Sequence, residues 1–252
     1  MLETYRYGEP GSAPPLLIAH GLFGSARNFA SLAKRLSKDR LVICVDMRNH
    51  GASPWFNSHR YTELADDLAA VIRAHGGPMD VLGHSMGGKA AMMLALTHPD
   101  TVAKLTVADI APVAYAHDQR PFIEAMRQID PGAIGSRKAA NTALAAHIDQ
   151  AGIRAFLLQS LDLKAGRWRM NLDVLDREMH QLTGWPEPEA TSEHATLFLS
   201  GSESQYITPA YRPAMRRAFP KARFVKIPGA GHWLHADAPE AFEATLQTWL
   251  TA

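Results

Sequence analysis

Gly83-His84-Ser85-Met86-Gly87 constrains this chain more than any other segment. The apolar run Met79–Leu82 precedes it, and a helical pattern, Lys89–His98, follows until Pro99. A serine between glycines at a strand-to-helix turn is the pattern of a nucleophile elbow. Such a turn strains the serine backbone, so small residues must flank it. It also lifts the hydroxyl above a helix N-terminus, which favours negative charge nearby. The same stretch comes close to a phosphate-binding loop, Gly83-x4-Gly88-Lys89, but Ala90 stands where that loop needs a hydroxyl for magnesium. The plain alternative is an ordinary serine in a glycine-rich turn. The strand before it and the helix after it argue against that.

The remaining apolar runs extend the alternation. Leu16–Ala19, Leu41–Asp46, Leu105–Ile110, Thr196–Ser200 and Phe224–Ile227 read as buried strands. Asn28–Leu36, Tyr61–His75 and a last stretch from about Pro239 to Leu250 read as helices, with Leu64, Leu68, Val71 and Ile72 on one face of the second. Strands alternating with helices predict an α/β fold with a mostly parallel sheet covered on both faces. One region breaks the rhythm. Between Pro112 and about Glu193 no strand is expected, only helices over Arg120–Gln128, Arg137–Ile148, Ile153–Ser160 and Asn171–Met179. The expected organisation is therefore a core of residues 1–111 and 194–252, with residues 112–193 inserted as a helical cap.

Lys and Arg number 26 and Asp and Glu 25, giving a net charge of +1, so no broad field attracts nucleic acid or an anionic membrane. Cys44 is the only cysteine and falls in a predicted strand, where a buried inert thiol is expected and no internal disulfide is available. The N-terminal segment is polar, and no window approaches the ~18 apolar residues of a membrane span. Cytoplasmic localisation, no stable membrane insertion and a monomer or small homo-oligomer are expected. There is no H-E-x-x-H and no paired-cysteine spacing, so neither a metal nor a cofactor is expected.

An elbow serine needs partners. The loop His20-Gly21-Leu22-Phe23-Gly24 follows the first apolar run. In such a site, backbone amides from this loop and from the residue after the nucleophile hold the oxyanion; here those are Leu22 and Met86. His20 abuts the strand and is expected to hold the loop. The base requires an imidazole on a mobile-backbone loop after the last strand. Pro228-Gly229-Ala230-Gly231-His232 supplies it, with His235 as the rival three residues on. A carboxylate must orient that imidazole. Asp109 and Glu203 both have the right chain order, and spacing alone leaves the two open.

HGLFGSARNF, DMRNHGASP, LGHSMGGKAAM, ADIAP, FLSGSESQYI and GAGHWLHADAP together span nearly the whole chain outside the insertion. This set resembles the small bacterial and mitochondrial carboxylesterases of the α/β-hydrolase superfamily. The resemblance implies that fold and activity on short- to medium-chain acyl esters, with acyl-CoA thioesters as further substrates. It implies an acid in a D-I-A-P sequence, matched by Asp109, Ile110, Ala111 and Pro112. It also implies a supporting serine after the later strand, matched by Ser204. Where that group usually has G-N-S, this chain has Ser202-Glu203-Ser204, so Glu203 stands as the alternative acid. Asp46 and Arg48 of the DMRNHG loop are expected to brace loops.

The chemistry that follows is acyl transfer: Ser85 attacks, His232 moves the proton, and water frees the acyl-enzyme. Phe122, Met126, Phe156, Leu157, Leu161 and Trp168 are the expected apolar lining from the insertion or, alternatively, its own core. Phe23 and Trp233 complete the expected substrate contacts. Arg167 and Arg169 are expected on a solvated face. A carbon–carbon bond hydrolase or a cofactor-free perhydrolase would use the same triad, and a non-catalytic ligand binder is the reading from another class.

Overall fold

The computed structural model describes residues 1–252. Its frame is a seven-stranded sheet whose central strands are apolar on both faces. In chain order the strands are β1 (Thr4–Tyr7), β2 (Leu16–Ala19), β3 (Val42–Val45), β4 (Met79–His84) and β5 (Val102–Ala108), then β8 (Ala195–Gly201) and β9 (Ala222–Ile227). They lie in the order β1-β3-β2-β4-β5-β8-β9, and all neighbours are parallel except β1 with β3. A parallel sheet needs helices on both faces, and the pleat divides each strand between them. Leu17, Ile43, Val81 and Val107 face one buried layer; Leu16, Ile18, Val42 and Leu82 face the other.

The first layer is closed by helices α2 (Tyr61–Ala74) and α3 (Met86–Thr97). In α2 the buried Leu64, Leu68, Val71 and Ile72 make a stripe at helical spacing, while Asp66 and Arg73 face out. Glu63 accepts the Arg60 amide at 2.9 Å and so satisfies one free donor at its start. Helix α3 is buried all round as far as Leu96, as a helix between sheet and insertion must be. The second layer is closed by α1 (Ala30–Leu36) and α11 (Pro239–Thr251), the latter through Phe242, Leu246, Trp249 and Leu250. Between them in chain order lie α9 (Arg212–Ala218) and α10 (Leu234–Asp237).

Residues 112–194 leave the sheet after β5 and return at β8. They form α4 (Arg120–Arg127), α5 (Arg137–Ala145), α6 (Ala151–Leu158), α7 (Leu172–Arg177) and α8 (Met179–Thr183). They also contain a short hairpin, β6 (Leu161–Asp162) with β7 (Arg167–Trp168), which corrects the expectation of helices alone. Two residues per strand are too few for alternation to register. Also absent from the sequence reading are the short helices α9 and α10 and the strand β1. It is a half-exposed antiparallel edge strand, and its TYRY sequence has no continuous apolar run. The predicted helix at Asn171–Met179 is two helices, α7 and α8, meeting at Glu178. No helix is long and apolar enough to cross a membrane.

Candidate active site

Strand β4 ends at His84, α3 begins at Met86, and Ser85 joins them with φ 53° and ψ −118°. Few L-residues hold that conformation, which costs of order 1–3 kcal/mol. The glycines around it are required by close approach. A Cβ on Gly83 would lie 2.2 Å from the Gly87 carbonyl oxygen, and one on Gly87 would lie 2.5 Å from those of Ala19 and His20. These are fixed backbone atoms, so the turn would have to open. We expect Gly83→Ala to cost more than about 2 kcal/mol. Thermal unfolding of the purified variant checks this; an unchanged midpoint would contradict it.

Asp109 follows β5 with φ 54° and is fully buried. Its Oδ1 accepts the Gly201 amide at 3.2 Å, and its Oδ2 accepts the Ser204 hydroxyl. Oδ2 also lies 2.8 Å from Nδ1 of His232. A carboxylate only accepts, so Nδ1 carries the proton and Nε2 is left with its lone pair. That Nε2 is 3.0 Å from Ser85 Oγ. A hydrogen-bonded line thus runs from Asp109 through His232 to Ser85, across three loops at the carboxyl ends of β5, β9 and β4.

Each loop is braced. His84 Nε2 donates to the His232 carbonyl at 2.8 Å. Gly201 permits close passage of the same loop, since a Cβ there would sit 2.2 Å from the Ala230 carbonyl oxygen. The Tyr206 ring stacks on His232 at 3.9 Å between centroids and 20° between planes. Glu203 is exposed, and its amide donates to Ala230 at 3.0 Å. The carboxylate against His232 is that of Asp109. His235 sits in α10, its ring 4.3 Å from Phe29 and 5.1 Å from His84.

The loop bearing Leu22 presses against the elbow: a Cβ on Gly21 would meet Ser85 Cβ at 3.1 Å. His20 and His50 hold this loop, through the Met47 amide on His20 Nε2 at 2.9 Å and the Phe23 amide on His50 Nε2 at 3.2 Å. Met86 opens α3, so its amide belongs to the unpaired first turn. Asp46 accepts the amides of Ala26 and Ala52, both at 2.8 Å, and Arg48 pairs with Asp67 at 2.6 Å. Both brace loops.

A family model described as alpha/beta hydrolase fold matches residues 14–239. The chain belongs to the α/β-hydrolase family. It is 40% identical over 248 residues to the mouse protein named sn-1-specific diacylglycerol lipase ABHD11, covering 94% of this chain and 81% of that one. It is 37% identical to the Escherichia coli protein named esterase YbfF, covering 94% and 92%. Among solved structures, one titled marine microorganism esterase superposes with a TM-score of 0.93 at 37% identity, covering 98% of each chain.

In this α/β-hydrolase, Ser85 and His232 open into a cavity of about 260 Å³ between sheet and insertion. Leu22, Phe23, Phe122, Phe156, Leu157 and Trp233 line it, as does Met86. Three expected contacts lie elsewhere. Met126, Leu161 and Trp168 are buried in the insertion's own core, where the Trp168 indole donates to the Met126 carbonyl at 3.1 Å. An apolar residue in the insertion reads as buried without its sequence saying which buried surface it joins. Arg169 pairs with Asp162, and Arg167 is exposed; neither lines the cavity.

Tyr206 and Lys89 were passed over by sequence reasoning as site residues. Tyr206 follows Ser204 by two residues within FLSGSESQYI. Lys89 reads from the sequence only as the lysine of a near phosphate-binding loop. Tyr61, Tyr115, His117 and Ile153 also line the cavity, and their spacing gave no sign of it.

The buried histidines bear on acid stability. Burial, reinforced by neighbouring imidazoles, lowers His50 from 6.5 to about 3 and His235 to about 4. As pH falls below 6.5 the unfolded chain takes up these protons while the folded chain resists, so stability is lost. Each pH unit in that window removes about 1.4 kcal/mol per histidine. Thermal midpoints should fall steadily from pH 6.5 to pH 4, and His235→Phe should flatten the slope. A midpoint constant across that range would contradict this.

Proposed function

We propose that this chain is a serine carboxylesterase acting on short- to medium-chain acyl esters, and on acyl-CoA thioesters, through an acyl-enzyme on Ser85. Ser85 Oγ attacks the substrate carbonyl while His232 Nε2 takes its proton. The carbonyl oxygen becomes an oxyanion held by the Leu22 and Met86 amides, each worth about 2.7–4 kcal/mol of barrier. His232 returns the proton to the leaving alcohol or thiol as the C–O or C–S bond breaks. A water then repeats the sequence on the acyl-enzyme, and the carboxylic acid departs. Asp109 keeps Nδ1 protonated and stabilises the imidazolium, while Ser204 orients Asp109.

The observation that carries this reading is the continuous contact from Asp109 Oδ2 to His232 at 2.8 Å and on to Ser85 at 3.0 Å, at the mouth of a largely apolar cavity. The relatives named esterase and lipase support it. On this reading residues 112–193 act as a cap over the core of residues 1–111 and 194–252, supplying Phe122, Phe156 and Leu157 to the acyl group. The test is a panel of p-nitrophenyl esters and acyl-CoAs of increasing chain length. Turnover should be best while the acyl chain fits the cavity and fall beyond that length. A folded protein that hydrolyses none of them would overturn the reading.

A further inference from the structure

Lys89 lies on α3 one turn beyond Ser85 and is 1% exposed. A buried ammonium is costly unless paired. No carboxylate pairs with this one. Its Nζ donates to the carbonyls of Thr183 at 3.1 Å and Gly184 at 2.6 Å, which uses two of its three protons. It stands 4.9 Å from the Tyr115 ring centre and 5.4 Å from that of Tyr61. Burial is the sole cause acting on it and pulls it down to about 7. The residue nonetheless lines the cavity.

The cavity is two-sided. Phe23 meets Phe122 and Phe156 meets Trp233, at 6.4 and 5.7 Å between centres, forming an apolar wall. Facing features are different around Lys89. Tyr115, His117 and Tyr206 touch one another at 5.1–5.4 Å and lead to His232 through the stacked Tyr206. A polar strip therefore runs from an amine without a counter-ion to the base. A wholly hydrocarbon substrate would offer nothing to hold that amine in its charged form, whereas an anion would.

We propose that Lys89 and the adjoining Tyr115–His117–Tyr206 strip form a carboxylate-binding subsite, so that the preferred ester carries an anionic group a few bonds from its scissile carbonyl. The inference rests on the serine-esterase reading above and adds a substrate class to it. The carboxylate adds the missing acceptor for the third ammonium proton and a charge-assisted hydrogen bond in a site shielded from water. It belongs either to the acyl chain or to the alcohol, and the two arms of the test separate these.

The first arm compares p-nitrophenyl half-esters of adipic and pimelic acid with p-nitrophenyl hexanoate and heptanoate. The second compares acetyl esters of ω-hydroxy acids with acetyl esters of plain alcohols of equal length. In one arm kcat/KM should favour the carboxylate by at least about tenfold in the unmodified enzyme. Lys89→Gln keeps a donor for the Thr183 and Gly184 carbonyls without the charge. It should abolish that preference by lowering kcat/KM for the carboxylate ester at least about tenfold more than for its neutral counterpart. A lysine that only ties the insertion to α3 would move both ester types together, which would overturn the proposal. So would equal or lower turnover of carboxylate esters in both arms by the unmodified enzyme, which needs no variant to fold. Loss of every ester, neutral included, is the failure of the esterase reading itself. The subsite is then decided by calorimetry on Ser85→Ala, which should bind monomethyl adipate tighter than methyl hexanoate, or 6-acetoxyhexanoate tighter than hexyl acetate, by at least about tenfold; equal or weaker binding in both pairs overturns it.

Discussion

Ser85→Ala is expected to lower kcat by about 10⁶-fold with KM nearly unchanged. The reason lies in what the hydroxyl does and does not hold. Its one side-chain contact is with His232 Nε2, so removing it takes the nucleophile away without leaving a buried donor stranded. Alanine meets the same positive φ that serine does, so the backbone strain is unchanged. The thermal midpoint should stay within a few degrees of the parent. In the proposed mechanism the residual rate is that of a water attacking a carbonyl polarised by the Leu22 and Met86 amides. Steady-state kinetics on a p-nitrophenyl ester, with active-site titration to exclude parent enzyme, checks this. A variant retaining a tenth of the parent kcat would show that the nucleophile is elsewhere.

Asp109→Asn is expected to cost about 10⁴-fold in kcat. Asparagine fills the same space, but its amide nitrogen would face His232 Nδ1 in place of an acceptor. The imidazole would then favour the tautomer with the proton on Nε2, which cannot take one from Ser85. The imidazolium formed during attack would also lose its counter-charge. Asp109 is fully buried and already accepts from Gly201 and Ser204, so no other group can rotate in to replace it. Glu203→Gln should leave kcat within about twofold, because a solvated carboxylate away from the imidazole gives little. Parallel kcat measurements on the two variants decide between these acids. Loss in Glu203→Gln alone would reverse the assignment.

Much of the core was legible because burial on both faces forces continuous apolar runs, and the six runs read as strands are all strands. The elbow was legible for a different reason. Only glycine tolerates the approach of Gly83 to Gly87 and of Gly87 to Ala19, so steric necessity wrote itself into the motif. His232 was found from its glycine-rich loop, and His20 from its place between strand and turn.

Other features left no local trace. The choice between Asp109 and Glu203 is a question of which carboxylate meets one imidazole, and both fit the chain order. The resemblance pointed to Asp109, and the 2.8 Å contact places it against His232. Met126 and Trp168 satisfy helical or strand burial equally well inside the insertion or beside the substrate. Tyr206 matters through a ring stacked on a residue far along the chain, and Lys89 through an absent partner. Neither is a property of nearby sequence.

The geometry around the elbow makes the Ser85 hydroxyl alone nucleophilic. Brief reaction of the folded enzyme with a fluorophosphonate, followed by intact-mass and peptide analysis, tests it most directly. One adduct per chain is expected, on the peptide containing Ser85, formed in step with loss of ester hydrolysis. Full inhibition with Ser85 unmodified, or continued hydrolysis after Ser85 is fully modified, would contradict it.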